Sequence, residues 1–201
     1  MKILSDVNQK NGKHNTKERY FAEQGVEVIT CPLPVGDYVL VNDKVQDVLD
    51  RKEKRGIPVK KMDLLGTYTV SIDTKRDIQE LIGDICGKDH DRFRDECILA
   101  QNNGIKLYIV VENKEETIKQ TGVVNKTIRN LDDLHKWVNP RLFIMKRGVD
   151  GKRVQKYPTA TRGITLQKAC YTIENKYGCK FLFCHPNESA QMILNLLVQN
   201  R

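Results

Sequence analysis

The chain has 201 residues, long enough for one domain with a real hydrophobic core, and 39% apolar against 30% charged residues reads as globular. No run approaches the roughly 18 apolar residues of a membrane helix, and Met1-Lys2-Ile3-Leu4-Ser5-Asp6 turns polar too soon for a secretory signal, so a cytoplasmic or nucleoid-associated protein with no membrane partner is expected. The net charge of +8 is concentrated, with six cations against Glu53 in residues 51–61 and seven against Asp150 in 141–163, which suits a polyanion because each neutralised phosphate releases counterions.

Lys2 to Val7 predicts a strand, and Thr16 to Gln24 a helix stopping at Gly25. Val26 to Cys31 alternates as a strand, and Pro32-Leu33-Pro34 leads into another from Gly36 to Val41. Residues 42–66 read as a charged, lysine-rich insertion interrupted by Gly56 and Pro58. Thr67 to Lys75, rich in β-branched and aromatic residues, predicts a strand with Val70, Ile72 and Thr74 on one face and Ser71, Asp73 and Lys75 on the other. A helix follows over about 76–86, where Ile78, Leu81, Ile82 and Ile85 recur at core-facing spacing, and another over about 90–101. Lys106 to Val111 is an apolar strand capped by Glu112. Leu131 to Val138 predicts a short helix broken at Asn139-Pro140, with Trp137 as a packing anchor. Past the basic segment 141–163, Leu166, Ala169, Cys170, Ile173 and Tyr177 mark one stripe of an amphipathic helix. Lys180 to Cys184 is a strand and Asn187 to Gln199 a closing helix. The alternation predicts one α/β domain over residues 1–201, with helices flanking a mixed central sheet.

Six cysteines include no Cys-x-x-Cys pair, and His90, His135 and His185 share no ligand spacing, so reduced thiols and no zinc site are expected. Cys179 and Cys184 differ in strand parity and should face opposite sides.

Asp73-Thr74-Lys75 carries the chemistry. An acid and a lysine two residues apart on a strand share a face, and a second acid from a neighbouring strand would complete a site for Mg²⁺, which binds through one or two carboxylates, water and substrate phosphate. Asp37, after Gly36, is the candidate second acid. Asp50-Arg51-Lys52 has the same spacing but lies in a charged helix or loop, a poorer scaffold for a rigid site. Plainer readings of the same residues are an Asp37 that accepts backbone hydrogen bonds in its turn, an Asp73–Lys75 surface ion pair, a solvated Glu80, and a local Arg92–Glu96 pair at i,i+4. His14 is a candidate phosphate contact in the loop after the first strand, or a plain loop histidine.

Gly36-Asp37-Tyr38, then Asp73-Thr74-Lys75, then Leu81-Ile82-Gly83, Arg92-Phe93 with Cys97-Ile98, and Ile109-Val110-Val111-Glu112 resemble, in order, the XPF-type nuclease domain, closest to the stand-alone versions of bacteria and phages. The resemblance covers most of the chain. It implies a restriction-endonuclease-like fold and Mg²⁺- or Mn²⁺-dependent cleavage of DNA, often at forks, flaps or branches, in repair or recombination, and host cytoplasm if the chain is phage-encoded. Carried over residue by residue, Asp37 and Asp73 become metal ligands, Lys75 the water-orienting base or electrostatic stabiliser, and Asp6 and Glu112 supporting acids near the metal. Glu80, with Asp77 as rival, is nearest to the family's later acid, and Arg92 is an accessory phosphate contact. Asp73-Thr74 replaces the family's Glu-Arg, and the tandem helix-hairpin-helix module that larger relatives use to grip DNA and dimerise is missing from this sequence. Lys52, Lys54, Arg55, Lys60, Lys61, Lys146, Arg147, Lys152 and Arg153 are the candidate substitutes for that grip. A catalytically silent DNA-binding scaffold and a restriction-type duplex endonuclease remain as alternatives, and a homodimer or a protein partner is left open.

Overall fold

In the computed structural model, which describes residues 1–7 and 15–200, the first strand β1 (Lys2–Ser5) already shows how the sheet is built. Ile3 and Leu4 are consecutive and point to opposite faces, yet both are fully buried, because helices cover the sheet on both sides. Helix α1 (Asn15–Glu23) returns the chain to β2 (Glu27–Thr30), which lies parallel to β1. On the other edge of β1 runs the antiparallel β3 (Tyr38–Leu40), shorter than the 36–41 expected, with Gly36 and Asp37 forming the bend that enters it.

Residues 42–66 are part of the domain and not a loose insertion. Asn42 caps α2 (Asp43–Lys54) by accepting the Val45 amide at 2.9 Å. That helix buries Val45 and Val48, and a 3₁₀ turn over Lys61–Leu64 buries Leu64. The Asp50-Arg51-Lys52 triplet lies on α2 and not on a strand.

β4 (Val70–Lys75) pairs antiparallel with β3 and parallel with β5 (Lys106–Glu112), and the two helices α3 (Ile78–Cys86) and α4 (His90–Asn102) make the crossover. Two residues each of β6 (Glu116–Thr117) and β7 (Val124–Asn125) form a small ribbon. Residues Leu131–Lys136 are a 3₁₀ turn, in place of the short α-helix expected, and Trp137 is buried after it as a packing anchor. A hairpin of β8 (Met145–Arg147) and β9 (Arg153–Gln155) follows, then α5 (Gly163–Tyr177), β10 (Lys180–Cys184) and α6 (Ser189–Gln199).

The sheet order is β10-β5-β4-β3-β1-β2, a mixed six-stranded sheet. Helices α1 and α6 cover one face around Phe21, Tyr38, Ile72, Val110 and Ile193. Helices α3, α4 and α5 cover the other around Leu81, Phe93, Ile109, Leu166 and Phe181, and α2 joins them there. Cys179 belongs to the second core and Cys184 to the first, as their parity predicted, and all six cysteines are free thiols. No helix among the described residues is long and apolar enough to cross a membrane.

Candidate active site

Gly36 makes the site possible. Its φ is +70°, and a Cβ there would stand 2.2 Å from Ser71 Oγ and 2.9 Å from the Ile72 carbonyl oxygen, so only glycine lets the bend lie flat on β4. The Asp37 amide then donates to the Ile72 carbonyl at 2.7 Å, and the Asp37 carbonyl accepts the Asp6 amide at 2.8 Å. With Tyr38 opposite Ile72 in an antiparallel register, Asp37 falls opposite Asp73 at the end of the ladder.

Each acid is held from a different direction. Asp37 Oδ2 accepts both the Thr74 amide at 2.8 Å and the Thr74 hydroxyl at 2.5 Å. Asp6, directly after β1, accepts the Leu33 amide at 2.9 Å. Glu96 reaches in from α4 and accepts the Gly36 amide at 2.7 Å. Asp73 is buried with its Oδ2 2.7 Å from Lys75 Nζ. Asp6, Asp37, Asp73 and Glu96 line one cleft of about 520 Å³, together with Arg92 and Lys61.

Lys75 is buried between two carboxylates, 2.7 Å from Asp73 Oδ2 and 2.7 Å from Asp84 Oδ2, with its ammonium over the Phe93 ring at 5.3 Å. Burial works against its charge, but Asp73 and Asp84 outweigh that and hold its pKa above the ordinary lysine value. Asp84 also accepts Arg92 at 3.0 Å, which ties the lysine to the exposed Arg92 guanidinium at the cleft.

Several sequence candidates stand elsewhere. Glu112 is not near the site. Lys75 pairs with Val111 across the parallel ladder, so the next residue points to the opposite face of the sheet, where Glu112 meets Lys17 of α1 at 2.5 Å in a buried ion pair. Asp77 caps α3 by accepting the Glu80 amide at 2.8 Å, and Glu80 accepts the Arg76 amide at 2.8 Å, so both serve the helix start. The acid that α3 contributes is Asp84, which the sequence reading missed. Its signal was an aspartate between Leu81 and Ile85, on the helix face that should be apolar. Helical spacing pairs Glu96 with Arg92, from which it stands 4.0 Å away, but its closer partner is the Gly36 amide at the cleft.

Of the candidate DNA-grip residues, Lys61 lies at the cleft. Lys52 is turned to Asp63 at 2.6 Å, and Lys54, Arg55 and Lys60 are exposed on or just after α2. Lys146, Arg147, Lys152 and Arg153 are exposed on the β8–β9 hairpin. His14 lies outside the described residues.

The donor set fits a hard divalent cation. The Asp73 carboxyl is pushed well above the usual carboxylate range by burial, and the charges of Glu96 and Asp37 add to this against the pull of Lys75. Burial likewise raises Glu96, with Asp37 adding, while the Gly36 amide, Lys75 and Arg92 oppose it. A cation among these oxygens would relieve both the desolvation and the mutual repulsion. As the side chains lie, no three donors among the described residues close a complete metal cage. Mg²⁺ needs only one or two carboxylates and completes its shell with water and phosphate, so the arrangement remains suitable.

A family model described as the ERCC4 domain matches residues 7–196. Among solved structures, the chain is similar to XPF from Aeropyrum pernix in complex with DNA, with a TM-score of 0.52 and 14% sequence identity. That alignment covers 98% of this chain and 64% of the other, so this chain spans under two thirds of its length, and the likeness is one of fold. No curated protein matches the chain.

Proposed function

This chain belongs to the ERCC4 domain family, a family of nucleases, and from that premise we propose that it is a divalent-metal-dependent DNA endonuclease acting at branched, flap or fork structures in repair or recombination. The observation that carries the reading is the convergence of Asp37 and Asp73 at the end of one β ladder, beside a lysine that is held charged.

Asp37 and Asp73 would hold a Mg²⁺ or Mn²⁺ ion, with Asp6 and Glu96 as supporting acids on the same cleft. When bound, such an ion supplies a water of lowered pKa and neutralises charge that builds on the phosphate. Thr74 fixes the direction of Asp37, and the Leu33 amide fixes that of Asp6. Lys75 serves as a fixed cation and hydrogen-bond donor. A lysine whose ammonium is stabilised by two carboxylates is a poor general base at neutral pH, which favours the electrostatic role over the basic one. Arg92 and Lys61 offer the incoming phosphodiester its positive partners at the cleft.

Labelled duplex, flap, fork and four-way-junction DNA incubated with Mg²⁺ or Mn²⁺ tests this directly, with Asp73→Ala in parallel. Cleavage by the wild type alone is expected, with at least a roughly 10³-fold loss in the variant. Metal-dependent cleavage near the wild-type level in Asp73→Ala would overturn the assignment. Tight binding without cleavage under either metal would favour a silent scaffold of the same fold.

A further inference from the structure

The β8–β9 hairpin stands apart from the rest of the molecule. It forms its own two-stranded sheet and pairs with no strand of the central one. Every residue from Met145 to Lys156 is exposed except Gly148, and these include the apolar Met145, Val149 and Val154. Its shape is set by backbone. The Gly148 amide donates to the Lys152 carbonyl at 2.8 Å, Gly151 turns the chain at φ +78°, and the Lys156 amide closes the base on the Ile144 carbonyl at 2.7 Å.

The register places like charges face to face. Arg147 pairs directly with Arg153, so both guanidinium groups leave the same face of the ribbon. Like charges directly opposite each other destabilise an antiparallel pair, and neither arginine has a carboxylate partner among the described residues. The hairpin's one acid, Asp150, stands instead against Lys152 at 3.7 Å and accepts its amide at 3.2 Å. Lys146, opposite Val154, puts positive charge on the other face as well. An isolated hairpin gains nothing from this arrangement, whereas a polyanion that runs along both faces would offset the repulsion.

We propose that the β8–β9 hairpin is a duplex-binding ribbon that enters the major groove of a double-helical arm of the DNA, with Arg147 and Arg153 meeting one phosphate wall and Lys146 the other. The inference rests on the reading of the chain as a protein that acts on DNA. The dimensions agree with it. Three residues per strand extend about 10 Å and two paired strands lie about 4.8 Å apart, within a B-form major groove about 12 Å wide. The deep, narrow major groove of A-form RNA would refuse the same element, so the substrate class is duplex DNA, not duplex RNA. Exposed Val149 at the turn is the apolar tip that reaches the floor of the groove, where thymine methyl groups lie.

The test is binding by the full chain, without divalent metal, to a fluorescent duplex DNA, a single-stranded DNA of the same sequence and a duplex RNA, each titrated with NaCl. Arg147→Gln combined with Arg153→Gln is expected to weaken duplex DNA binding roughly tenfold or more near 0.1 M salt, and to lower the magnitude of the log–log salt slope by about 2, since two phosphate contacts are lost. Single-stranded DNA and duplex RNA should bind as they do to the wild type. Arg153→Glu should raise the thermal midpoint by replacing the like-charge pair with an ion pair, yet weaken duplex binding further. Opposite signs in stability and binding would separate a ligand-facing ribbon from a structural one. Unchanged duplex affinity and slope in the double variant would overturn the proposal, as would equal losses on all three nucleic acids. Because the assay needs no cleavage, a protein that binds through the ribbon but never cuts would sink the nuclease reading alone. One that cuts while both variants bind normally would sink the ribbon alone.

Discussion

Thr74 clamps Asp37 with two donors, its amide at 2.8 Å and its hydroxyl at 2.5 Å, both on the same carboxylate oxygen. Where the family pattern carries an arginine, this chain uses a short side chain to aim the neighbouring acid. The departure from the family motif at Thr74 thus supplies both donors to Asp37 Oδ2.

Thr74→Val keeps the shape of the side chain and removes the hydroxyl. A hydrogen bond to a charged group contributes about 1.5–3 kcal/mol, so cleavage should fall roughly 10- to 100-fold and the thermal midpoint by several degrees, with the circular dichroism spectrum of the folded protein unchanged. Thr74→Ser should keep most of the activity. Equal cleavage by the valine variant would show that the amide alone positions Asp37.

Gly36→Ala should damage the fold and the site together. Its Cβ would meet Ser71 Oγ at 2.2 Å on a backbone at φ +70°, and strain of that kind costs on the order of 1–3 kcal/mol before the clash is counted. Urea unfolding should show a loss of at least about 2 kcal/mol. Ser71→Ala in the same chain should recover part of it, because the nearest clashing atom is then removed.

Asp84 and Glu80 should separate cleanly. Asp84→Ala leaves Lys75 with one carboxylate partner and Arg92 without its close one, and removing one member of a buried ionic network costs about 3–5 kcal/mol. Glu80→Gln touches only the first turn of α3 and should shift stability by less than about 1 kcal/mol, with cleavage unchanged. Chemical denaturation and initial cleavage rates of the two variants check both.

Glu112→Gln should lower stability by about 3 kcal/mol, because it strands the buried Lys17 ammonium, and should leave Mn²⁺ affinity within about twofold of wild type. Lys17→Met with Glu112→Leu should restore most of the stability, since an apolar pair of similar volume replaces a buried ion pair at little cost. Calorimetric Mn²⁺ titration would reveal any part that Glu112 plays in the metal site.

Addition of Mg²⁺ or Mn²⁺ should raise the thermal midpoint of the wild type. An ion at 100 times its dissociation constant stabilises a fold by about 2.7 kcal/mol, and relief of repulsion among Asp37, Asp73 and Glu96 would be the source of such affinity. Asp73→Ala should lose most of the shift, which differential scanning fluorimetry over a metal series would measure.

What could be read from the chain alone was local. Strand period puts Asp73 and Lys75 on one face, the Gly36-Asp37 pair marks a turn, and periodicity locates the strands of the central sheet and five of the six α-helices among the described residues, the exception being α2 inside what reads as a charged insertion. Each of these follows from backbone geometry over a few residues. Tertiary structure decided which groups meet. Glu96 and Asp84 enter the site because α3 and α4 pack across the face of β4 that carries Asp73 and Lys75, and no spacing in the sequence states which turn of a helix will lie over which strand residue. Glu112 leaves the site because ladder register between β4 and β5 sets its parity, and register is a property of two strands paired in space. The long-range pairs that bring Asp37 to Thr74 and Gly36 to Glu96 span 37 and 60 residues, and packing of the whole domain, not local preference, fixes distances of that kind.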